Sequence, residues 1–135
     1  MSIESFYEYP AGIALSIFLQ GLREGKLIAS RCGKCNTSHI PPRSYCAKCL
    51  NPINDFHEIT GLGFVETFTC SHISLDGSQA QPVTWVYVRF EGVEGGLLHR
   101  LDPSVAPEKA LKVRPVYHGE RIGSILDIKW FTKAE

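Results

Sequence analysis

The stretch RCGKCNTSHIPPRSYCAKC, residues 31–49, decides the reading of this chain. It holds two Cys-x-x-Cys pairs, Cys32/Cys35 and Cys46/Cys49, with ten residues between them. Two residues between thiolates let both sulfurs reach one ion from a tight knuckle, and two knuckles complete a tetrahedral four-sulfur site. Thiolate-only tetrahedral coordination suits zinc or a single iron. Free thiols, disulfides or a redox pair would explain the cysteines less well, because doubled pairs at compact spacing usually ligate one ion. The four thiolates fill the coordination sphere and leave no open position, so the metal is expected to be structural. Arg31, Lys34, Arg43 and Lys48 flank the pairs, where their charge offsets the net charge of about −2 on a zinc–thiolate centre. His39 lies inside the metal loop as a competing ligand, but four thiolates already complete the set.

Outward from the cysteines the chain changes texture twice. Before them, residues 1–26 read as a helical segment. Ile13, Ile17, Phe18 and Leu22 are spaced to share one broad face, and Gly25 is a helix stop. Pro10 and Gly12 separate this helix from a short turn around Phe6 and Tyr7. The helix either caps the core or docks on a partner. Residues 27–55 form the metal ribbon, punctuated by Gly33, Pro41, Pro42 and Pro52. Residues 56–135 read as all-β. Strands are expected at Gly63–His72 and Pro82–Glu91, then at Gly96–Leu101 after a Gly92–Gly96 turn. Two more are expected at Leu111–Tyr117 and Ser124–Phe131. In the clearest strand, Val83, Trp85, Tyr87 and Arg89 face one way, and Thr84, Val86, Val88 and Phe90 the other. Five short strands suit a small Greek-key barrel of the OB type. The fold class is therefore mainly β, with an N-terminal helix or helices, a metal ribbon and a C-terminal five-stranded OB-fold barrel.

The totals exclude several roles. Fourteen basic and fourteen acidic residues leave no net charge, which argues against a polyanionic partner and so against nucleic acid. No apolar run is long enough to span a bilayer, and no signal sequence is legible at the start, so no membrane role is expected. Paired cysteines at metal-ligand spacing suit a reducing compartment, which points to the cytoplasm. Cys70 reads as a small buried apolar residue. His57, His72, His99 and His118 follow no catalytic spacing and read as surface or hydrogen-bonded structural groups. No carboxylate pair, nucleophile motif or phosphate loop appears, so catalysis by this chain is not expected. The Ile40-Pro-Pro-Arg43 segment is either a rigid connector or a presented loop whose Arg43 meets phosphate or carboxylate. Trp85, Tyr87 and Phe90 resemble a base-stacking platform, but packing explains them better because few basic residues are interleaved.

In its order of motifs the chain resembles the acyl-CoA-associated zinc-ribbon/OB-fold family, long catalogued as a domain of unknown function. The carriers are Gly21-Leu-Arg-Glu-Gly25, the paired Cys-x-x-Cys, Pro41-Pro42-Arg43 and Gly61-Leu-Gly-Phe-Val65. The resemblance spans nearly the whole chain. It implies N-terminal helices, a rubredoxin-like zinc ribbon holding Zn, and an OB-fold. It also implies a non-catalytic adaptor that bridges a thiolase-like enzyme and a hydroxymethylglutaryl-CoA synthase-like enzyme of the mevalonate route, helping to channel an acyl-CoA intermediate. Arg31, Lys34, Arg43 and Lys48 are then candidates for contact with coenzyme A or a partner. The alternatives are a zinc-ribbon/OB-fold nucleic-acid-binding module and a mononuclear iron electron carrier. The chain departs from the family pattern where Ala110 replaces a glycine before the fourth barrel strand. It departs again where Asn36 and Leu50 follow the knuckles in place of glycine. Asn tolerates a left-handed turn, Leu less so.

Overall fold

Helix α1, Gly12–Arg23, opens the computed structural model, which describes residues 12–59, 62–73 and 79–134. The expected turn around Phe6, Tyr7 and Pro10 lies outside these residues. The helix buries Ala14, Phe18, Gly21 and Leu22, a stripe of i, i+4 and i+8 positions joined by i+7. This corrects the face expected from sequence: Ile13 is 75% exposed and Ile17 half-buried. The stripe is rotated because the helix approaches β1 (Ile28–Arg31) through Gly21, where a Cβ would meet Ile28 Cγ1 at 2.5 Å. Gly25, at φ +75°, ends the helix as expected. Lys26 N–H donates to Gly21 O at 2.8 Å and Gly25 N–H to Leu22 O at 3.0 Å, the paired bonds of a Schellman motif. From the far end of the chain, Arg121 Nε donates to Arg23 O at 2.8 Å and so satisfies another terminal carbonyl.

Two sheets follow. The first has the order β3-β1-β2-β6, with β2 at Ser38–Ile40, β3 at Asp55–Glu58 and β6 at Val93–Gly95. The second has the order β7-β5-β4-β8-β9. Its strands are β4 Gly63–Ile73, β5 Gln79–Phe90, β7 Leu97–Arg100, β8 Lys112–Tyr117 and β9 Ile128–Lys133. A parallel bridge from Leu101 to Phe131, backed by Asp102 N–H donating to Phe131 O at 2.8 Å, closes β7 onto β9. Five antiparallel strands closed by one parallel contact form the expected OB-type barrel. Val86, Val88 and Phe90 point inward and Trp85, Tyr87 and Arg89 are half-buried on the other face, the alternation read from sequence. One core runs through everything: Phe18 and Leu22 of α1, Ala29 and Ile40 of the ribbon sheet, and Val65, Val86, Val113 and Phe131 of the barrel.

Three further expectations change. The Gly92–Gly96 segment is more than a turn: it contains β6, which leaves the barrel and pairs in parallel with β2 of the ribbon. Glycine makes this possible, since a side chain at Gly95 (φ +84°) would collide with the backbone carbonyl of Ile40. Ser124–Asp127 is not strand. Ser124 caps a 3-10 turn at Ile125–Asp127, and strand begins only at Ile128. Cys70 is exposed, because the β4–β5 hairpin carries it beyond the closed part of the barrel, where β8 pairs only with Gly63 and Phe64 of β4.

Asp127 holds the turn. Its buried carboxylate accepts from the N–H groups of Ile122 (3.0 Å), Gly123 (2.7 Å) and Ser124 (3.1 Å). Burial pushes the carboxyl up, but these N–H donors outweigh it and leave the group below the ordinary 3.8. A depressed folded value means the carboxylate stabilises the fold above pH 3.8, and that this contribution disappears as the pH falls below it. Asp127→Asn is therefore expected to cost about 1–3 kcal/mol at neutral pH. Denaturant unfolding of both proteins should show that gap narrowing below about pH 4; a gap constant with pH contradicts the account.

Left-handed backbone falls on Asn36 (φ 58°), Leu50 (φ 62°) and Ala110 (φ 64°), the positions where the family resemblance led to an expectation of glycine. A Cβ there costs about 1–2 kcal/mol, partly offset by the larger unfolded-state entropy of glycine. Ala110→Gly and Leu50→Gly are each expected to stabilise the chain by about 0.5–1 kcal/mol, read as a higher thermal midpoint.

Candidate metal centre

The two knuckles are built the same way. In the first, Cys32 N–H donates to Thr37 O at 2.9 Å and Asn36 N–H to Cys32 O at 2.7 Å. In the second, Cys46 N–H donates to Asn51 O at 2.9 Å and Leu50 N–H to Cys46 O at 3.0 Å. Each turn needs its left-handed residue, Asn36 or Leu50, to bring the chain back. Backbone donors face the sulfurs: Cys35 N–H lies 3.4 Å from Cys32 Sγ and Lys48 N–H 3.4 Å from Cys46 Sγ. Asn51 Nδ2 donates to Cys49 Sγ at 3.4 Å. All four Sγ atoms lie within 4.8 Å of one another, and Cys32 and Cys49 are 3.5 Å apart. A zinc–sulfur bond of about 2.3 Å sets tetrahedral sulfur–sulfur separations of about 3.8 Å, so the donor set fits the ion.

The thiols are unequal. N–H groups of Cys49 and Lys48, helped by the His39 ring, lower the Cys46 thiol to about 5. Cys49 is also lowered, first by Asn51. Cys35, hydrogen-bonded to Cys49 and facing these thiolates, is pushed up to about 12. Zinc, when bound, supplies the charge that lets all four sulfurs be thiolates together.

The four basic candidates are all exposed, and three of them have separate partners. The Arg31 guanidinium donates to Asn36 Oδ1, at 2.9 Å from Nε. Lys48 Nζ lies 3.9 Å from Glu94 of β6, linking the second knuckle to the strand that leaves the barrel. Arg43 donates its N–H to Ser30 Oγ at 2.9 Å and its Nε to Tyr45 O at 3.4 Å. Lys34 is exposed at the tip of the first knuckle. The Ile40–Pro41 peptide is cis, Pro42 is buried and Pro41 and Arg43 are exposed. His99 is buried and satisfied, its ring bonded to Ile125 O (3.1 Å) and the Arg100 N–H (2.8 Å).

The sequence reading missed an apolar groove of about 530 Å³ between α1 and the barrel, lined by Leu15, Phe18, Leu19, Leu97, Leu98 and Ile125. Leu98 is 64% exposed there, and Ile122 and Leu126, on the connection that carries Ile125, are 83% and 71% exposed. Its residues come from three distant segments, so no local pattern signals it. No described helix is long and apolar enough to cross a membrane.

Zinc removal, or Cys46→Ser, is expected to release about 10–16 kcal/mol of metal-linked folding energy from the ribbon. Amides of Ile28–Glu58 should lose hydrogen-exchange protection while those of Val86, Val88 and Val113 keep it. Metal analysis of the intact chain should give one zinc, and uniform protection after complete removal contradicts the role.

Comparison with known proteins agrees with this geometry. A family model described as the ChsH2 rubredoxin-like zinc ribbon domain matches residues 19–54. No curated protein matches the chain. Among solved structures, a Sulfolobus solfataricus protein of unknown function from the DUF35 family is 34% identical, with a TM-score of 0.69 over 78% of each chain. The Ltp2–ChsH2 (DUF35) aldolase shares the fold at 22% identity and a TM-score of 0.66, over 88% of this chain and 93% of that one. The knuckles, the ribbon and the closed barrel thus have their counterparts in one family, and this chain belongs to DUF35, with zinc as the metal of its ribbon.

Proposed function

We propose that this chain is a non-catalytic accessory subunit of an acyl-CoA enzyme complex in the reducing cytoplasm. The observation that carries the reading is the apolar face around the α1–barrel groove. Exposed Leu15, Leu98, Ile122 and Leu126 on a small protein mark a surface for another protein. A zinc centre closed by four thiolates supports an architectural role for the metal. The solved relative that pairs a DUF35 chain with Ltp2 in an aldolase is a precedent for partnership with an enzyme subunit. The acyl-CoA part follows from the family resemblance.

In the finer form of this reading, α1 and the ribbon contact a thiolase-like enzyme and the barrel a hydroxymethylglutaryl-CoA synthase-like enzyme. The chain then shortens the path of an acyl-CoA intermediate between them. Arg31, Lys34, Arg43 and Lys48 offer their charge to coenzyme A phosphates or to partner carboxylates.

The test is native co-purification from the source cells with the tagged chain, followed by mass spectrometry. A thiolase or another acyl-CoA enzyme at near-stoichiometric yield is expected. Leu98→Asp with Leu126→Asp should cut that yield at least tenfold with zinc content unchanged. Recovery with nucleic-acid-dependent partners, lost on nuclease treatment, contradicts the reading.

A further inference from the structure

Over the paired β2–β6 seam, against Tyr87 of β5, lies a polar cleft of about 260 Å³. His39, Arg43, Tyr87, Glu94 and Gly96 are in its wall. His39 is only 6% exposed, and its Nε2 has no hydrogen-bond partner among the described residues. An imidazole nitrogen donates or accepts according to its tautomer, so Nε2 can meet either an oxygen or a hydroxyl of a ligand. A native fold leaves few such groups unpaired.

The rest of the wall offers donors. Arg43 spends only Nε on a protein acceptor, at 3.4 Å, and the outer fork of its guanidinium suits a planar or tetrahedral oxyanion. The Tyr87 hydroxyl rests against Gly96, where a Cβ would come within 3.0 Å of it, so glycine keeps the cleft open. Glu94 is the one carboxylate among these wall residues, and Lys48 at 3.9 Å and Arg89 at 4.0 Å offset it. The cleft therefore suits a group that accepts from Arg43 and Tyr87 and also pairs with His39 Nε2.

We propose that this cleft binds a phosphate group, free or as a monoester, with its oxygens on Arg43 and Tyr87 and one of its oxygens or its P–OH hydrogen-bonded to His39 Nε2. A phosphate with a second pKa near 6 carries both the negative oxygens and, in its monoanion, the donor. The site deepens the reading above, since coenzyme A carries a ribose phosphomonoester. It rests on that reading for the source of the phosphate and not for the chemistry of the cleft.

The experiment is an NMR titration of the zinc-loaded chain near pH 6 with inorganic phosphate and, separately, with adenosine 3′,5′-bisphosphate. Sodium chloride at matched ionic strength is the control. Saturable shifts at His39–Arg43, Tyr87 and Glu94–Gly96, with movement of the His39 Nε2 resonance, are expected. Arg43→Ala, at an exposed position, should weaken binding at least tenfold with zinc content unchanged. Saturation by either probe supports the site. Saturation by inorganic phosphate alone assigns it to free phosphate and detaches it from acyl-CoA. Shifts that match chloride, or binding indifferent to Arg43→Ala, overturn the site even where co-purification upholds the subunit reading.

Discussion

Cys32, Cys46 and Ile53 are nearly all the interior that the two knuckles possess, with Cys35 and Cys49 packed against them. Such a cluster cannot offset the chain entropy of ordering a loop of that length. The bond between thiolates and metal is thus the constraint on which the ribbon depends. The knuckles accept unfavourable backbone at Asn36 and Leu50 to aim four sulfurs at one point. Backbone N–H groups favour the thiolates of Cys46 and Cys49, while Cys35, facing them, is pushed the other way until a metal supplies positive charge.

What the metal holds, the barrel then uses. Strand β6 leaves the barrel after the Gly92 turn to pair with β2, and Gly95 and Gly96 make the close passage possible. Side chains there would strike Ile40 O and Val88 O. This seam buries Ile40 in the common core and sets Glu94 opposite Lys48. Helix α1 seals the other side of the core, and Arg121 ties its last turn to the β8–β9 connection. Ribbon, barrel and helix are therefore one packing unit, and the polar cleft and the apolar groove both lie at its joints.

The metal set, the helix stop at Gly25, the barrel class and the alternation of β5 were legible in the residues, because each rests on local spacing or on the two-residue period of a strand. The left-handed turns at Asn36 and Leu50 were legible through the family resemblance, which places glycine there; the one at Ala110 was seen only in the structure. The rotated face of α1 was not: which stripe is buried depended on the approach of Ile28 to Gly21, a contact with another element. Cys70 had the composition of a buried strand residue, yet the hairpin that carries it runs past the closed barrel.

By itself, then, the sequence determined the chemistry of coordination and the inventory of elements, since Cys-x-x-Cys geometry and strand alternation act within a few residues. Only the tertiary structure decided that Val93–Gly95 pairs with the ribbon, and that His39 is buried with its Nε2 unpartnered among the described residues. It alone gathered Leu15, Leu98 and Ile125 on one face. Those outcomes depend on close packing between segments far apart along the chain, and a local pattern carries no record of what will lie across from it.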